Sequence, residues 1–161
     1  MPNLIDGNNV LHALAEVGPE LGRSGLCALL ARVADPKDPT CIVFDGPRRG
    51  ELPEGLAEVG IEAVFCPGRK ADGVIIERLQ ADSAPRRLVV VSTDREIRRE
   101  AQRRRCQSVT SEQFSRTLMR DLRKAAARKD RREPPEKHQG LADDQTDQWL
   151  TYFGLGGDGS D

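Results

Sequence analysis

The sequence predicts an α/β domain built on a parallel sheet, and three observations lead there. Its short apolar runs, such as Cys41–Phe44 and Leu88–Val91, are continuous and lack polar alternation, as in strands covered on both faces. Between the runs lie segments whose apolar residues fall at helical spacing, so strand and helix alternate along the chain. Strand after strand also closes on an aspartate, the residue type expected where a chain leaves the open edge of a sheet.

The first strand covers residues 3–6 and ends on Asp6. Gly7 then offers a sharp backbone turn, and an asparagine, Asn8 or Asn9, can cap the helix that follows. That helix carries Val10, Leu11, Leu14 and Val17 and stops at Gly18-Pro19. Ser24 can cap a second helix with Leu26, Leu29, Leu30 and Val33 inward, ended by Asp35-Pro36. A second strand runs from Cys41 to Phe44 and stops at Asp45-Gly46-Pro47. Residues 48–60 are rich in Gly, Pro and charge, which predicts a loop with a short helix near Leu56.

The third strand spans Ile61 to Cys66, followed by a helix from Ala71 to Ala81 with Val74, Ile75 and Leu79 inward. Leu88 to Ser92 is the clearest strand and leads into Thr93-Asp94. A charged helix covers about Arg95 to Arg104, and Ser108-Val109 marks a last strand. Ser111 starts the final helix, with Glu112 in its first turn. Phe114, Leu118, Leu122 and Ala126 repeat every four residues and form its core stripe, with Arg116, Arg120, Arg123 and Lys124 largely opposite.

At 161 residues the chain suits one globular domain, here residues 1–127, followed by a linker and acidic tail over 128–161. Asp143 or Asp144 can cap a short aromatic helix over 143–153 in that tail. Trp149, Tyr152 and Phe153 supply 3 of the chain's 6 aromatics, a density that predicts docking on the domain or on a protein partner. No apolar run is long enough to cross a bilayer and no signal-peptide pattern is present, which predicts a cytoplasmic protein. Cys27, Cys41, Cys66 and Cys106 form no CxxC pair and read as buried thiols of a reducing compartment.

The net charge of −1 hides a pattern. Between Arg95 and Arg132 there are 14 basic and 5 acidic residues, and residues 133–161 hold 1 basic and 7 acidic. A stretch of net +9 suits RNA, and a tail of net −6 can fold over it as an internal competitor. On that reading, truncation after Arg128 raises RNA affinity.

The chemistry lies with the acids. Asp6, Asp45 and Asp94 close strands, and Asp72 opens the helix after the third strand. In an open parallel sheet these positions share the rim where ligands bind. Clustered carboxylates repel unless a cation neutralises them, and an all-oxygen donor set suits Mg²⁺ or Mn²⁺. Such a site can hydrolyse phosphodiesters. Arg48, Arg49, Arg69, Lys70, Arg95 and Arg98 flank the acids and can hold phosphates, while Asn8, Asn9, Ser92 and Thr93 supply neutral donors and acceptors. No Ser-His pair accompanies them: His12 reads as a helix residue and His138 lies in the linker.

Leu4-Ile5-Asp6-Gly7-Asn8-Asn9-Val10-Leu11, Val43-Phe44-Asp45-Gly46, Lys70-Ala71-Asp72 with Ile75, and Val91-Ser92-Thr93-Asp94-Arg95-Glu96-Ile97 resemble the NYN domain. More narrowly, over roughly residues 3–115, the chain resembles the bacterial YacP-like branch of that domain, within the PIN-like ribonuclease superfamily. The resemblance implies a three-layer α/β domain, strand order 3-2-1-4-5 and metal-dependent endoribonuclease activity on single-stranded RNA. By motif it makes Asp6 and Asp94 metal ligands, Asp72 the helix acid, Asn9 the family's asparagine and Asp45 a second-strand acid. The helix acid of the family is often followed by another, and here Gly73 stands there, which implies a weakened or one-metal site.

Two other readings compete. One is a non-catalytic RNA-binding or ribosome-associated module on the same fold. The other is an aspartyl phosphotransferase of the haloacid dehalogenase type, which wants a second Asp two residues after the first, where this chain has Asn8.

Overall fold

The computed structural model describes residues 1–130 and 151–152. Five strands form one parallel sheet: β1 (Asn3–Asp6), β2 (Thr40–Asp45), β3 (Ile61–Cys66), β4 (Val89–Val91) and β5 (Gln107–Val109). They lie in the order β3-β2-β1-β4-β5, as the resemblance implies. Helices α1 (Gly7–Ala15), α2 (Arg23–Ala31), α3 (Ala71–Ala81), α4 (Arg95–Arg103) and α5 (Ser111–Asp130) cover both faces.

Side-chain alternation explains why the strands read as unbroken apolar runs. Ile5, Ile42, Phe44 and Val91 enter a core closed by α1, α2 and α5. Their neighbours Leu4, Val43 and Val90 point the other way, into a core closed by α3 and α4. Leu4–Asp6, Ile42–Phe44 and Val90–Val91 are therefore covered whichever way they point. Strand order reverses between β1 and β4, so the crevice at their carboxyl ends is the topological switch point.

Four local expectations are corrected. The cap of α1 is Asp6 itself, whose side chain accepts from the Asn9 amide, and neither asparagine takes that role. Gly7 adopts no positive φ. It is required by packing: a Cβ there would stand 2.3 Å from Phe44 Cε1 and 3.0 Å from Ile42 Cγ2. Helix α2 begins one residue before Ser24, behind Gly22, with no side-chain cap bond. The segment before β3 is a turn over residues 54–60 instead of a helix, and it still buries Leu56 in the first core.

On α5, Leu118, Met119 and Leu122 are buried, while Arg116, Arg120, Arg123 and Lys124 are exposed. All four cysteines are free thiols, but only Cys27 and Cys66 are buried and Cys41 and Cys106 are partly exposed. Burial pushes the Cys41 thiol up to about 12 and Cys27 up to about 11, which keeps both protonated. No described helix is long and apolar enough to cross a membrane. The expected linker and most of the aromatic helix over 143–153 lie outside the described residues; Thr151 and Tyr152 are helical and exposed.

Candidate active site at the carboxyl rim

Asp6 ends β1 almost fully buried, with 2% of its surface exposed. Its Oδ1 accepts from the Asn9 amide at 3.1 Å, and its Oδ2 accepts from Asn9 Nδ2 and from Ser92 Oγ, the latter at 3.1 Å. Burial raises its carboxyl, the bonds from Asn9 and Ser92 pull the other way, and the charge on Asp45 raises it further. Ser92 is fully buried and also accepts from the Asp94 amide at 3.0 Å, so one hydroxyl joins the ends of β1 and β4. It holds the acids in place from within the protein and presents no atom to solvent.

Asp94 Oδ1 caps α4 through the amides of Glu96 at 2.7 Å and Ile97 at 3.1 Å. Among the described residues nothing donates to its Oδ2 or to either oxygen of Asp72. Asp72 sits in the first turn of α3. Its carboxyl is raised by burial and then by the charges of Asp6, Asp94 and Asp45, with Lys70 opposing. That mutual repulsion is the electrostatic signature of one cluster. The structure thus brings Asp6, Asp72 and Asp94 to the switch point.

Asp45 belongs to the cluster by charge but is otherwise occupied. Its Oδ2 accepts from Asn8 Nδ2 and its Oδ1 from the Ala71 amide, both at 2.6 Å. Thr93 donates to Glu112 at 3.2 Å and accepts from the Ser111 amide at 3.3 Å. The α5 start therefore brings a fifth carboxylate to this rim, which the sequence reading treated only as a helix-start acid.

The basic residues divide. Arg48, Arg49, Lys70 and Arg95 are exposed, Arg98 is partly buried, and Arg69 is drawn into an ion pair with Glu77 of α3. Arg23 was not anticipated: it donates to the Pro47 carbonyl at 3.2 Å and lies 5.7 Å above the Phe44 ring. Nothing in the local sequence around Arg23 marks it, because the contact joins segments 24 residues apart.

The donor set fits a hard divalent cation. Asp72 and one oxygen of Asp94 are open to it, and Asp6 stands beside them with both oxygens already hydrogen-bonded. Among the described residues, though, no three His, Cys, Asp or Glu side chains are arranged to hold one ion as they stand. At position 73 an added Cβ would meet nothing within 4 Å, so glycine there is not imposed by packing.

These shifts carry a pH dependence. The carboxyls of Asp6 and Asp72 are raised above 3.8, so the unfolded chain releases their protons first. Their contribution to stability is complete below 3.8 and is lost as pH rises through the folded-state values. In chelator, Asp6→Asn should therefore show a flatter decline of Tm than the wild type as pH rises from 3.8 through the folded-state value. Parallel melting curves for the two would remove Asp6 as a titrating group.

Five parallel strands in this order with helices on both faces form the three-layer PIN-like fold. The chain belongs to the YacP-like NYN domain family, a PIN-like ribonuclease family whose model matches residues 3–153. That match runs well past residue 115 and takes in the aromatic segment. The fold is similar to the crystal structure of Rae1 (YacP) from Bacillus subtilis. The TM-score is 0.64 at 16% identity, covering 81% of this chain and 80% of that one. The W164L mutant of the same protein gives a TM-score of 0.58 at 15% identity, covering 82% and 86%. No curated protein matches.

Proposed function

We propose that this chain is a divalent-cation-dependent endoribonuclease acting on single-stranded RNA in the cytoplasm. The carrying observation is the cluster itself: Asp72 feels the charges of Asp6, Asp94 and Asp45 at the crevice where this fold class binds ligands. Family membership adds the substrate class. Four unpaired thiols suit a reducing compartment.

Asp6, Asp72 and Asp94 would hold the ion, Mg²⁺ or Mn²⁺, which supplies Lewis acidity toward a phosphate and a more acidic water. Ser92 and Asn9 orient the Asp6 carboxylate through their hydrogen bonds and oppose the upward pull of its burial. Asn8 reaches the site through Asp45, and Thr93, the residue before Asp94, holds Glu112. Exposed Arg48, Arg49, Lys70 and Arg95, with Arg69 if it leaves Glu77, hold the phosphates on either side of the scissile one. Water would add to phosphorus and give up a proton as the bond to the 3′ oxygen breaks and that oxygen takes one up, leaving one product with a 5′-phosphate and the other with a 3′-hydroxyl.

The test is incubation of purified protein with labelled single-stranded RNA in Mn²⁺, in Mg²⁺ and in chelator, with the product ends mapped. Cleavage that needs the ion and leaves 5′-phosphates supports the reading, whereas equal cleavage in chelator overturns it. A second reading has its own observation. Gly73 and the absence of a closed ligand triad among the described residues favour a non-catalytic RNA-binding module. That module would bind RNA in Mn²⁺, in Mg²⁺ and in chelator alike and cut it in none of them.

Either reading predicts salt-sensitive binding through the basic helices α4 and α5. For about four phosphate contacts to single-stranded RNA, affinity should fall about fiftyfold between roughly 50 and 200 mM salt. A flat response would withdraw the basic helices from the RNA surface.

A further inference from the structure

The geometry points to Asp45 as a positioning residue: a carboxylate at the end of β2 that ties the first turns of α1 and α3 together and so sets the spacing of Asp6 and Asp72. This rests on the nuclease reading for its consequence, but not for its geometry. It replaces the metal-ligand role that the sequence suggests for this acid.

Three facts carry it. Both oxygens are engaged at 2.6 Å, one by Asn8 of α1 and the other by the Ala71 amide of α3. Ala71 is the first residue of α3 and adjoins Asp72, while Asn8 is two residues from Asp6. Finally, Lys70 at the N-cap of α3 makes no side-chain cap bond. Helix α3 therefore receives its capping acceptor from another strand, 26 residues away in sequence.

The consequence follows from burial. Ala71 is 1% exposed, and a buried amide without an acceptor is costly, so α3 cannot drift from β2 without losing this bond. A carboxylate at a helix start is also favoured by the helix dipole. With α1 held by the other oxygen, one side chain fixes two acid-bearing turns against the sheet. A cation bound directly to Asp45 would have to displace one of the two donors.

Asparagine is the discriminating substitution. In Asp45→Asn the amide oxygen can accept from Ala71, and the amide nitrogen can donate to Asn8 once the Asn8 amide is turned over. Asp45→Ala loses both bonds. Exchange of the Ala71 amide by NMR should accelerate more than about tenfold in Asp45→Ala and stay slow in Asp45→Asn. Mn²⁺, titrated by electron paramagnetic resonance, should bind Asp45→Asn at least about tenfold more tightly than Asp45→Ala, within the range typical of residues that orient ligands. In Asp45→Ala, kcat on RNA should fall with KM little changed.

Equal loss of Mn²⁺ affinity in both variants, with Ala71 exchange unchanged, would restore Asp45 as a ligand and overturn the proposal. An Asp45→Ala protein matching the wild type in both readouts would overturn it too. If Asp45→Ala does not fold, the exchanged pair Asn8→Asp with Asp45→Asn must keep Ala71 protected, and fast exchange there contradicts the clamp. A wild-type protein that binds no Mn²⁺ sinks the nuclease reading, while Ala71 exchange still decides the role of Asp45.

Discussion

Asp72→Asn should lose RNA cleavage by more than the roughly hundredfold that changes behind a metal site cost, because in the proposed mechanism this acid would hold the ion directly. Among the described residues no hydrogen bond reaches its carboxylate, and it is surrounded by the charges of Asp6, Asp94 and Asp45. A group placed that way repels its neighbours until a cation arrives. The neutral amide removes the repulsion, so in chelator the variant should melt at or above the wild-type temperature near pH 7. Lost activity beside retained or increased Tm separates a missing ligand from a damaged fold. A variant that cuts at the wild-type rate would place α3 outside the chemistry.

Gly7→Ala should be the most damaging single-methyl change to the fold. The added Cβ lies 2.3 Å from Phe44 Cε1 and 2.5 Å from Cδ1. The ring has nowhere to retreat: it is fully buried, stacked on Phe65 at 5.3 Å between centroids, and covered by Arg23 at 5.7 Å. Either α1 lifts from β2 or Phe44 leaves its rotamer, and overpacking of this kind costs about 1–3 kcal/mol. Denaturant melts read as a shift in midpoint at constant slope would measure it. Because Gly7 follows Asp6, cleavage should fall as well. Wild-type stability in Gly7→Ala would contradict the close approach of α1 to β2.

How far the sequence could be read depended on the range of each interaction. Apolar runs ending in Asp6, Asp45 and Asp94 are local patterns, and the acids do stand at the carboxyl rim as those patterns predict. The order of the strands is not local; it came from the resemblance. Gly7 invites a turn argument because glycine so often serves turns, yet its cause is a Phe44 ring 37 residues on. Asp45 read as one more strand-end acid because its partners, Asn8 and Ala71, lie 37 and 26 residues away. Ser92 read as one of the neutral donors and acceptors of the site, and only the packing of β4 against β1 shows it buried on Asp6. Charge and spacing can nominate residues for a rim, but three-dimensional contacts show which of them are spent on holding the acids in place.

The most direct measurement places wild type, Asp6→Asn and Asp94→Asn side by side on one labelled single-stranded RNA in Mn²⁺ and in Mg²⁺. The wild type should cut in at least one metal and both variants should fail while remaining folded. Three proteins that cut equally, or a wild type that cuts in neither metal, would contradict the account.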